Sequence, residues 1–147
     1  MSGTGKTTVI RRLVALGHKA VDLDDGWCEP QPDGRLLWRV DAVSALLAQE
    51  DGEALFVAGC EENMVDFLPM FDVIVLLTAP VDTLLWRLAT RKNNPYGKSA
   101  EERSRVLQDI REVEPRLRRV AHYEVETRAS VDEVVRTVLA VASAVDG

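Results

Sequence analysis

The first residues of the chain contain a glycine-rich stretch whose spacing could bind phosphate. Its members are Ser2, Gly3, Thr4, Gly5, Lys6, Thr7 and Thr8. Glycines allow several backbone N–H groups to approach phosphate oxygens, a lysine reaches the β- and γ-phosphates, and the hydroxyl after it is a ligand for Mg²⁺. The sequence therefore predicts a loop that binds ATP with Mg²⁺, in which Lys6 contacts phosphate and Thr7 contacts the metal.

A helix must follow this loop directly and hold it in place. Apolar residues recur at helical spacing between Thr7 and Leu16, and Gly17 stands where a C-terminal cap is expected. The unpaired N–H groups of the first turn, which includes Thr8, would point toward bound phosphate.

Short apolar runs rich in β-branched residues predict the strands. They lie at 19–25, 55–58 and 73–77, with a weaker alternating strand at 123–126. The first ends in Asp22, Asp24 and Asp25, and ligands of open parallel sheets bind at that edge. Strands that alternate with helices indicate an α/β fold with a three-layer parallel sheet.

Turn residues and helical spacing divide the rest of the chain. Residues 26–34, with two prolines, are predicted to form a loop. Helices are predicted from apolar spacing or capping boxes at 37–49, at 80–91, after Ser99 and after Ser130. Pro115 is expected to break the helix that begins after Ser99.

Composition is that of a globular protein with no membrane-spanning segment. The chain has 147 residues, of which 46% are hydrophobic and 29% charged, and no apolar run is long enough to cross a bilayer. We expect a single domain over residues 1–147, a cytoplasmic location, and reduced thiols at Cys28 and Cys60.

The charge of the chain is unevenly distributed. The net charge of −6 argues against nucleic acid as a partner, since duplex binding needs a cationic surface. Residues 87–119 nevertheless contain ten Lys or Arg against five Asp or Glu. This segment is either a set of solvated helix faces or a cationic clamp for polyphosphate.

The loop and the sequence Asp22-Leu23-Asp24 together resemble the small P-loop kinases, among them shikimate kinases, gluconate kinases, adenylate-kinase-like nucleotide kinases and bacterial ATP-binding proteins of this type. The resemblance implies that Asp22 serves the Mg²⁺ shell and that Asp24 contacts the substrate or acts as the base. Asp25 could replace either residue. The alternative is an acidic turn that only ends the strand.

Two further matches concern the substrate region of shikimate kinases. Trp38-Arg39 resembles a segment there, which implies that Arg39 binds an anionic group of the substrate, although a surface arginine explains it equally well. Gly59 resembles the start of a triple-glycine sequence at the substrate site, but here the chain reads Gly59-Cys60-Glu61. This departure argues against shikimate itself as the acceptor.

Arg87 and the residues after it are similar to the lid region of these kinases. The resemblance implies that Arg87 lies against adenine, that residues about 91–99 form a closing lid, and that Arg91 binds the transferring phosphate. By the same resemblance, the turn that contains Thr127 would flank the adenine.

In the fold of these kinases the strand order is 2-3-1-4-5, and the strand before the loop is central. The full loop pattern places its first glycine one position before Met1. We therefore expect that the first strand is missing from this sequence and that the natural protein begins upstream of Met1.

These features together predict ATP binding and phosphoryl transfer to a small-molecule acceptor, which is the activity of a nucleotide or metabolite kinase. The alternative is a nucleotide-binding regulatory protein with weak or no kinase activity, favoured by the departure at Gly59-Cys60-Glu61. The sequence leaves the acceptor and the oligomeric state open.

Overall fold

The computed structural model describes residues 5–49, 53–59, 61–90 and 99–146. Helices and strands alternate along most of this length. They are α1 Lys6–Ala15, β1 Lys19–Asp22, β2 Cys28–Pro30, β3 Leu36–Trp38, α2 Val40–Leu47, β4 Leu55–Ala58, a 3₁₀ helix Glu62–Met70, β5 Val75–Thr78, α3 Val81–Thr90, α4 Ala100–Glu112, α5 Glu114–Val120, β6 Tyr123–Glu126 and α6 Val131–Asp146.

Two strand pairs are parallel, as the sequence predicted. Strand β1 pairs with β4 from Lys19 opposite Leu55 onward, and β5 pairs with β6 from Val75 opposite Tyr123 onward. When the strand before the phosphate loop is counted as first, these pairs are the neighbours 2–3 and 4–5 of the expected order. Parallel strands need a crossover connection, which the intervening helices provide.

A third pair, between β2 and β3, is antiparallel and corrects the prediction for this region. Residues 26–34 are not one loop, and the helix begins at Val40 rather than near residue 37. The turn is closed by Gln31 N–H donating to the Arg35 carbonyl at 2.7 Å. Burial increases along this segment from exposed Leu36 to buried Trp38. Its backbone pairing with Cys28–Pro30 shows that the apolar run begins as a strand and not as a helix. The 3₁₀ helix was also not predicted.

Backbone contacts divide the chain into two compact units. The N-terminal unit contains Lys6–Asp72, and the C-terminal unit contains Gly5 and Val73–Ala144. Buried Leu23, Trp38, Val43 and Phe67 form the core cluster of the N-terminal unit, where the Trp38 and Phe67 ring centroids are 5.8 Å apart.

Helix α1 ends in the cap that Gly17 predicted. Gly17 has φ +91°, its N–H donates to the Val14 carbonyl, and the N–H of His18 donates to the Leu13 carbonyl, each at 3.0 Å. This pair of bonds is a Schellman motif, in which a residue without a Cβ satisfies the last helical carbonyls at little cost.

The C-terminal unit confirms the predicted helix starts. The N–H of Glu102 donates to Ser99 Oγ at 3.1 Å, and the N–H of Glu133 donates to Ser130 Oγ at 3.3 Å. Helix α4 ends at Glu112 and α5 begins two residues later with Pro115 in its first turn, so the proline separates two helices as expected. Buried residues of this unit include Leu76, Leu84, Leu88, Val106, Val134 and Val135.

Among the residues described, no helix combines the length and the apolar composition needed to cross a membrane.

Candidate functional site

The start of α1 and the end of β1 bring the predicted metal ligands together. Helix α1 begins at Lys6, directly after Gly5, and β1 ends at Asp22. Thr7 Oγ1 donates a hydrogen bond to Asp22 Oδ2 at 2.9 Å. A hydroxyl and a carboxylate oxygen in contact are hard ligands of the kind that Mg²⁺ prefers, so this pair fits a magnesium ion. Thr8, in the same helical turn, is exposed.

The second carboxylate of the Asp-x-Asp sequence lies beside the loop lysine. Asp22 Oδ1 accepts a hydrogen bond from the N–H of Asp24 at 3.0 Å, which fixes the turn after β1. Lys6 Nζ lies 3.7 Å from Asp24 Oδ2. The Asp24 side chain is 38% exposed, so a ligand can reach this carboxylate from solvent.

Gly59 follows β4 and lies against the same turn. It has φ +153°, and a Cβ at this position would lie 2.9 Å from Trp38 Cζ2, 3.2 Å from Asp24 Oδ1 and 3.3 Å from Leu23 Cβ. Real Cβ contacts below 3.0 Å essentially never occur. The site therefore requires glycine here for both its backbone angle and its lack of a side chain.

Arg39, expected at an anionic substrate group, contacts the polypeptide. Its Nη2 donates to the Gly26 carbonyl at 2.5 Å, and its backbone N–H donates to the Trp27 carbonyl at 2.8 Å. The side chain thus holds the turn after β1 to the start of α2.

Sequence reasoning missed a cluster that we call the acceptor-side cluster, formed by Asp24, Cys28 and Glu61. One carboxylate oxygen of Asp24, the thiol sulfur of Cys28 and one carboxylate oxygen of Glu61 all lie within 4.8 Å of one another. Cys28 Sγ donates to the Leu23 carbonyl at 3.4 Å. No sequence motif joins these residues, because β2 contributes Cys28 and the segment after β4 contributes Glu61.

The thiol of this cluster stays protonated. Burial raises the pKa of Cys28 to about 11, and the carboxylates of Glu61, Asp24 and Asp22 add to the effect, while Arg39 opposes it. Thiols bind metals as thiolates, so a group with this pKa is a poor metal ligand. The two carboxylates therefore give the cluster its chemistry.

Trp38 was quoted with Arg39 in the sequence comparison, but the sequence assigned it no role. Its backbone N–H donates to Asn63 Oδ1 at 3.1 Å and its carbonyl accepts from Asn63 Nδ2 at 2.9 Å, so one side-chain amide fixes its backbone. The residue is 2% exposed, and among the described residues its Nε1 is a buried polar atom without a hydrogen-bond partner.

In the C-terminal unit, Arg87 is joined to Thr127. Arg87 Nη1 donates to Thr127 Oγ1 at 2.8 Å and Nη2 donates to the Thr127 carbonyl at 2.5 Å. Thr127 Oγ1 also donates to the Thr78 carbonyl at 3.1 Å, and the Thr127 Cβ lies 4.0 Å from the Cβ position of Gly5. The predicted adenine contacts thus form one hydrogen-bonded group.

Several predicted residues lie outside the part of the chain that the structure describes. They are Ser2, Gly3, Thr4, Arg91 and Cys60, together with residues 92–98 of the expected lid.

One protein-family model matches most of the chain. The family described as an AAA domain matches residues 1–108, which is most of the chain. The chain belongs to this AAA domain family. No curated protein sequence matches it.

A solved structure has a similar fold. The AAA domain chain is similar to shikimate kinase from Acinetobacter baumannii, solved in complex with shikimate, with a TM-score of 0.67 and 22% sequence identity. The match covers 97% of this chain and 88% of that one. At this identity the likeness concerns the fold. The predicted resemblance to small P-loop kinases and the α/β P-loop fold are thus confirmed.

Proposed function

We propose that this protein binds ATP with Mg²⁺ and transfers the γ-phosphoryl group to a hydroxyl group of a small molecule. The observation that carries the proposal is the pairing of the loop with the Asp-x-Asp sequence. Thr7 contacts Asp22 at 2.9 Å, and Lys6 lies 3.7 Å from Asp24. A phosphate loop needs a cation for the phosphates, ligands for Mg²⁺ and a group that orients the acceptor, and these four residues supply all three.

Lys6 would contact the β- and γ-phosphates, together with backbone N–H groups of Ser2, Gly3, Thr4, Gly5, Thr7 and Thr8. Thr7 and Asp22 would hold Mg²⁺, because their contacting oxygens form the ligand set that this ion prefers. When bound, the metal neutralises charge on the phosphate oxygens.

Asp24 is proposed as the catalytic base. In the reaction, the acceptor oxygen forms a bond to the γ-phosphorus while the bond from that phosphorus to the β–γ bridging oxygen breaks, so ADP leaves. The hydroxyl proton passes to the Asp24 carboxylate. Gly59 leaves room for the acceptor beside Asp24, since a Cβ at position 59 would lie 3.2 Å from Asp24 Oδ1.

Arg87 and Thr127 are proposed to contact the adenine, because their mutual hydrogen bonds fix the guanidinium plane in one orientation. Arg91 is proposed to bind the transferring phosphate as part of a lid at about residues 91–99. An arginine in that role contributes on the order of 10³ to 10⁵ in rate. We further propose that residues 1–147 act as a single domain.

The test uses Lys6→Met with Lys19→Met as its control, because Lys19 carries the same charge and pairs with Glu53 on the surface at 3.7 Å. Transfer of ³²P from γ-labelled ATP to a panel of hydroxyl compounds is measured for both variants. We expect Lys6→Met to lower the turnover by at least about 100-fold with an unchanged melting curve. Equal turnover in the two variants would contradict the role of Lys6.

The second candidate function is a nucleotide-binding regulator, which Glu61 favours because it stands where shikimate kinases have glycine. The same assay separates the two functions. ATP binding that depends on Lys6, without transfer to any hydroxyl compound and with capture of a protein partner only in the presence of ATP, would support the regulator.

A further inference from the structure

The chemistry of the acceptor-side cluster bears on which molecules can accept the phosphoryl group. Asp24 and Glu61 present two carboxylates whose oxygens lie within 4.8 Å of each other and of the Cys28 sulfur. Two carboxylates this close repel any anion placed beside them, whereas they accept hydrogen bonds from hydroxyl and ammonium groups.

Two cations lie near these carboxylates, and both have other partners in the proposed complex. Lys6 Nζ lies 3.7 Å from Asp24 Oδ2 and is proposed to contact the phosphates. Arg39 is the expected partner of an anionic substrate, but its Nη2 already donates to the Gly26 carbonyl at 2.5 Å. Burial is the main cause of the raised pKa of the Cys28 thiol, and the carboxylates of Glu61, Asp24 and Asp22 add to it while Arg39 opposes it. With Lys6 on the phosphates, the three carboxylates outnumber Arg39, so this side of the N-terminal unit is negative.

A buried donor faces the same place. Trp38 Cζ2 is bonded to the same ring carbon as Nε1 and lies 2.9 Å from the Cβ position of Gly59, while Asp24 Oδ1 lies 3.2 Å from that position. This edge of the indole therefore faces Gly59 and Asp24. Its N–H has no partner among the described residues although Trp38 is 2% exposed, and buried donors are almost always satisfied. An acceptor oxygen on a ligand would satisfy it.

We infer that the phosphoryl acceptor is a polyhydroxy compound without an acidic group, recognised by Glu61 and Asp24 as hydrogen-bond acceptors and by Trp38 Nε1 as a donor. A hydroxyl group suits both contacts because it donates and accepts, and an ammonium group suits the carboxylates. The inference rests on the proposed kinase function and specifies its substrate class.

The experiment measures binding and transfer separately, with compounds matched in skeleton. Glucosamine and glucuronate each differ from glucose in one substituent, an amine and a carboxylate respectively. Inositol and quinate are cyclic polyols without and with a carboxylate. Binding is followed by thermal shift and calorimetry with a non-hydrolysable ATP analogue, and transfer is followed with γ-labelled ATP. We expect shifts and transfer with glucose, glucosamine or inositol and neither with glucuronate or quinate.

Glu61→Gln is the diagnostic variant, and Glu29→Gln on the exposed part of β2 is its control. Loss of a charged hydrogen bond should weaken binding of the neutral or amine compound about tenfold or more in Glu61→Gln and leave it unchanged in Glu29→Gln. Trp38→Phe keeps an aromatic ring and removes the N–H, so it should weaken binding by a smaller factor at an unchanged nucleotide affinity.

The outcomes distinguish the two proposals. Transfer to glucuronate or quinate in preference to the neutral compounds would overturn the substrate class and leave the kinase function standing. Binding of a neutral or amine compound that depends on Glu61, without transfer of phosphate, would support the substrate class and overturn the kinase function. Binding of none of the five compounds would overturn the substrate class.

Discussion

Replacement of Gly59 by alanine should damage both stability and transfer, and the structure sets the size of the effect. The new Cβ would lie 2.9 Å from Trp38 Cζ2 and 3.2 Å from Asp24 Oδ1. The indole cannot move aside easily, because the Asn63 side chain is hydrogen-bonded to both the N–H and the carbonyl of Trp38 and Phe67 packs against the ring. Inserting a methyl group into such a place costs about 1–3 kcal/mol.

The backbone of Gly59 adds a second cost that can be measured alone. Its φ of +153° is unfavourable for a residue with a Cβ. Gly34 has φ +89° and nothing within 4 Å of its Cβ position, so Gly34→Ala carries the conformational cost without a clash. That cost is about 1–2 kcal/mol. We therefore expect Gly34→Ala to lose about 1–2 kcal/mol and Gly59→Ala about 2–5 kcal/mol of the free energy of unfolding.

The assay is urea unfolding of both variants and the wild type, followed by phosphoryl transfer at a temperature where all three are folded. A displacement of Asp24 near 1 Å can reduce transfer about 100-fold, so Gly59→Ala should be nearly inactive while Gly34→Ala retains its activity. Equal losses of unfolding free energy in the two variants would refute the close packing at Gly59. A stable, active Gly59→Ala would refute the placement of Asp24 beside it.

Three further predictions concern the C-terminal unit. Thr127→Val removes the hydroxyl that bonds to Arg87 and to the Thr78 carbonyl, so it should lose about 1–3 kcal/mol of the free energy of unfolding and weaken ATP binding. Thr127→Ser should retain both the stability and the ATP affinity. Equal ATP affinity in the two variants, measured by calorimetry, would argue against the adenine contact. His122→Ala should lower the urea midpoint because the Ile74 N–H loses the Nδ1 acceptor at 2.9 Å, whereas His122→Asn should restore it, and identical midpoints would argue against this bond. The hydrogen bonds from Arg118 hold the pKa of Glu124 below its ordinary value, so the pair stabilises the fold above the unfolded-state pKa of about 4.3 and this stabilisation is lost as the pH falls through the lower folded-state pKa. The difference in urea midpoint between wild type and Glu124→Gln should therefore shrink from pH 7 to pH 3, and a constant difference would contradict it.

The sequence predicted the parts of the molecule whose signals are local. Gly17 ends α1 because a helix cap depends on a few adjacent residues, and Ser99 and Ser130 begin helices for the same reason. The contact between Thr7 and Asp22 is longer in range, but it follows from a motif at a helix start and a carboxylate at a strand end. Parallel sheets bring such positions to one edge.

The hairpin of β2 and β3 shows where local signals fail. The apolar residues from Leu36 onward fit helical spacing, yet the first three form a strand that pairs with Cys28–Pro30. A run of three residues is too short to distinguish the helical spacing of apolar residues from the alternation of a strand. Here the pairing with β2 makes the segment a strand. This error affects the candidate site, because Trp38 is the last residue of the strand and its side chain is buried in the core.

The acceptor-side cluster could not be predicted for a related reason, because no local pattern in the sequence joins its residues. The proposed phosphate and Mg²⁺ ligands come from one contiguous loop and one strand end, so a short motif is enough to find them. The acceptor-side cluster is assembled from separate elements, which are the turn after β1, strand β2 and the segment after β4. Only folding brings Asp24, Cys28 and Glu61 within 4.8 Å of one another. In our proposal the negative charge of this cluster selects the acceptor. Arg39, which the resemblance favoured for this role, instead donates to the Gly26 carbonyl.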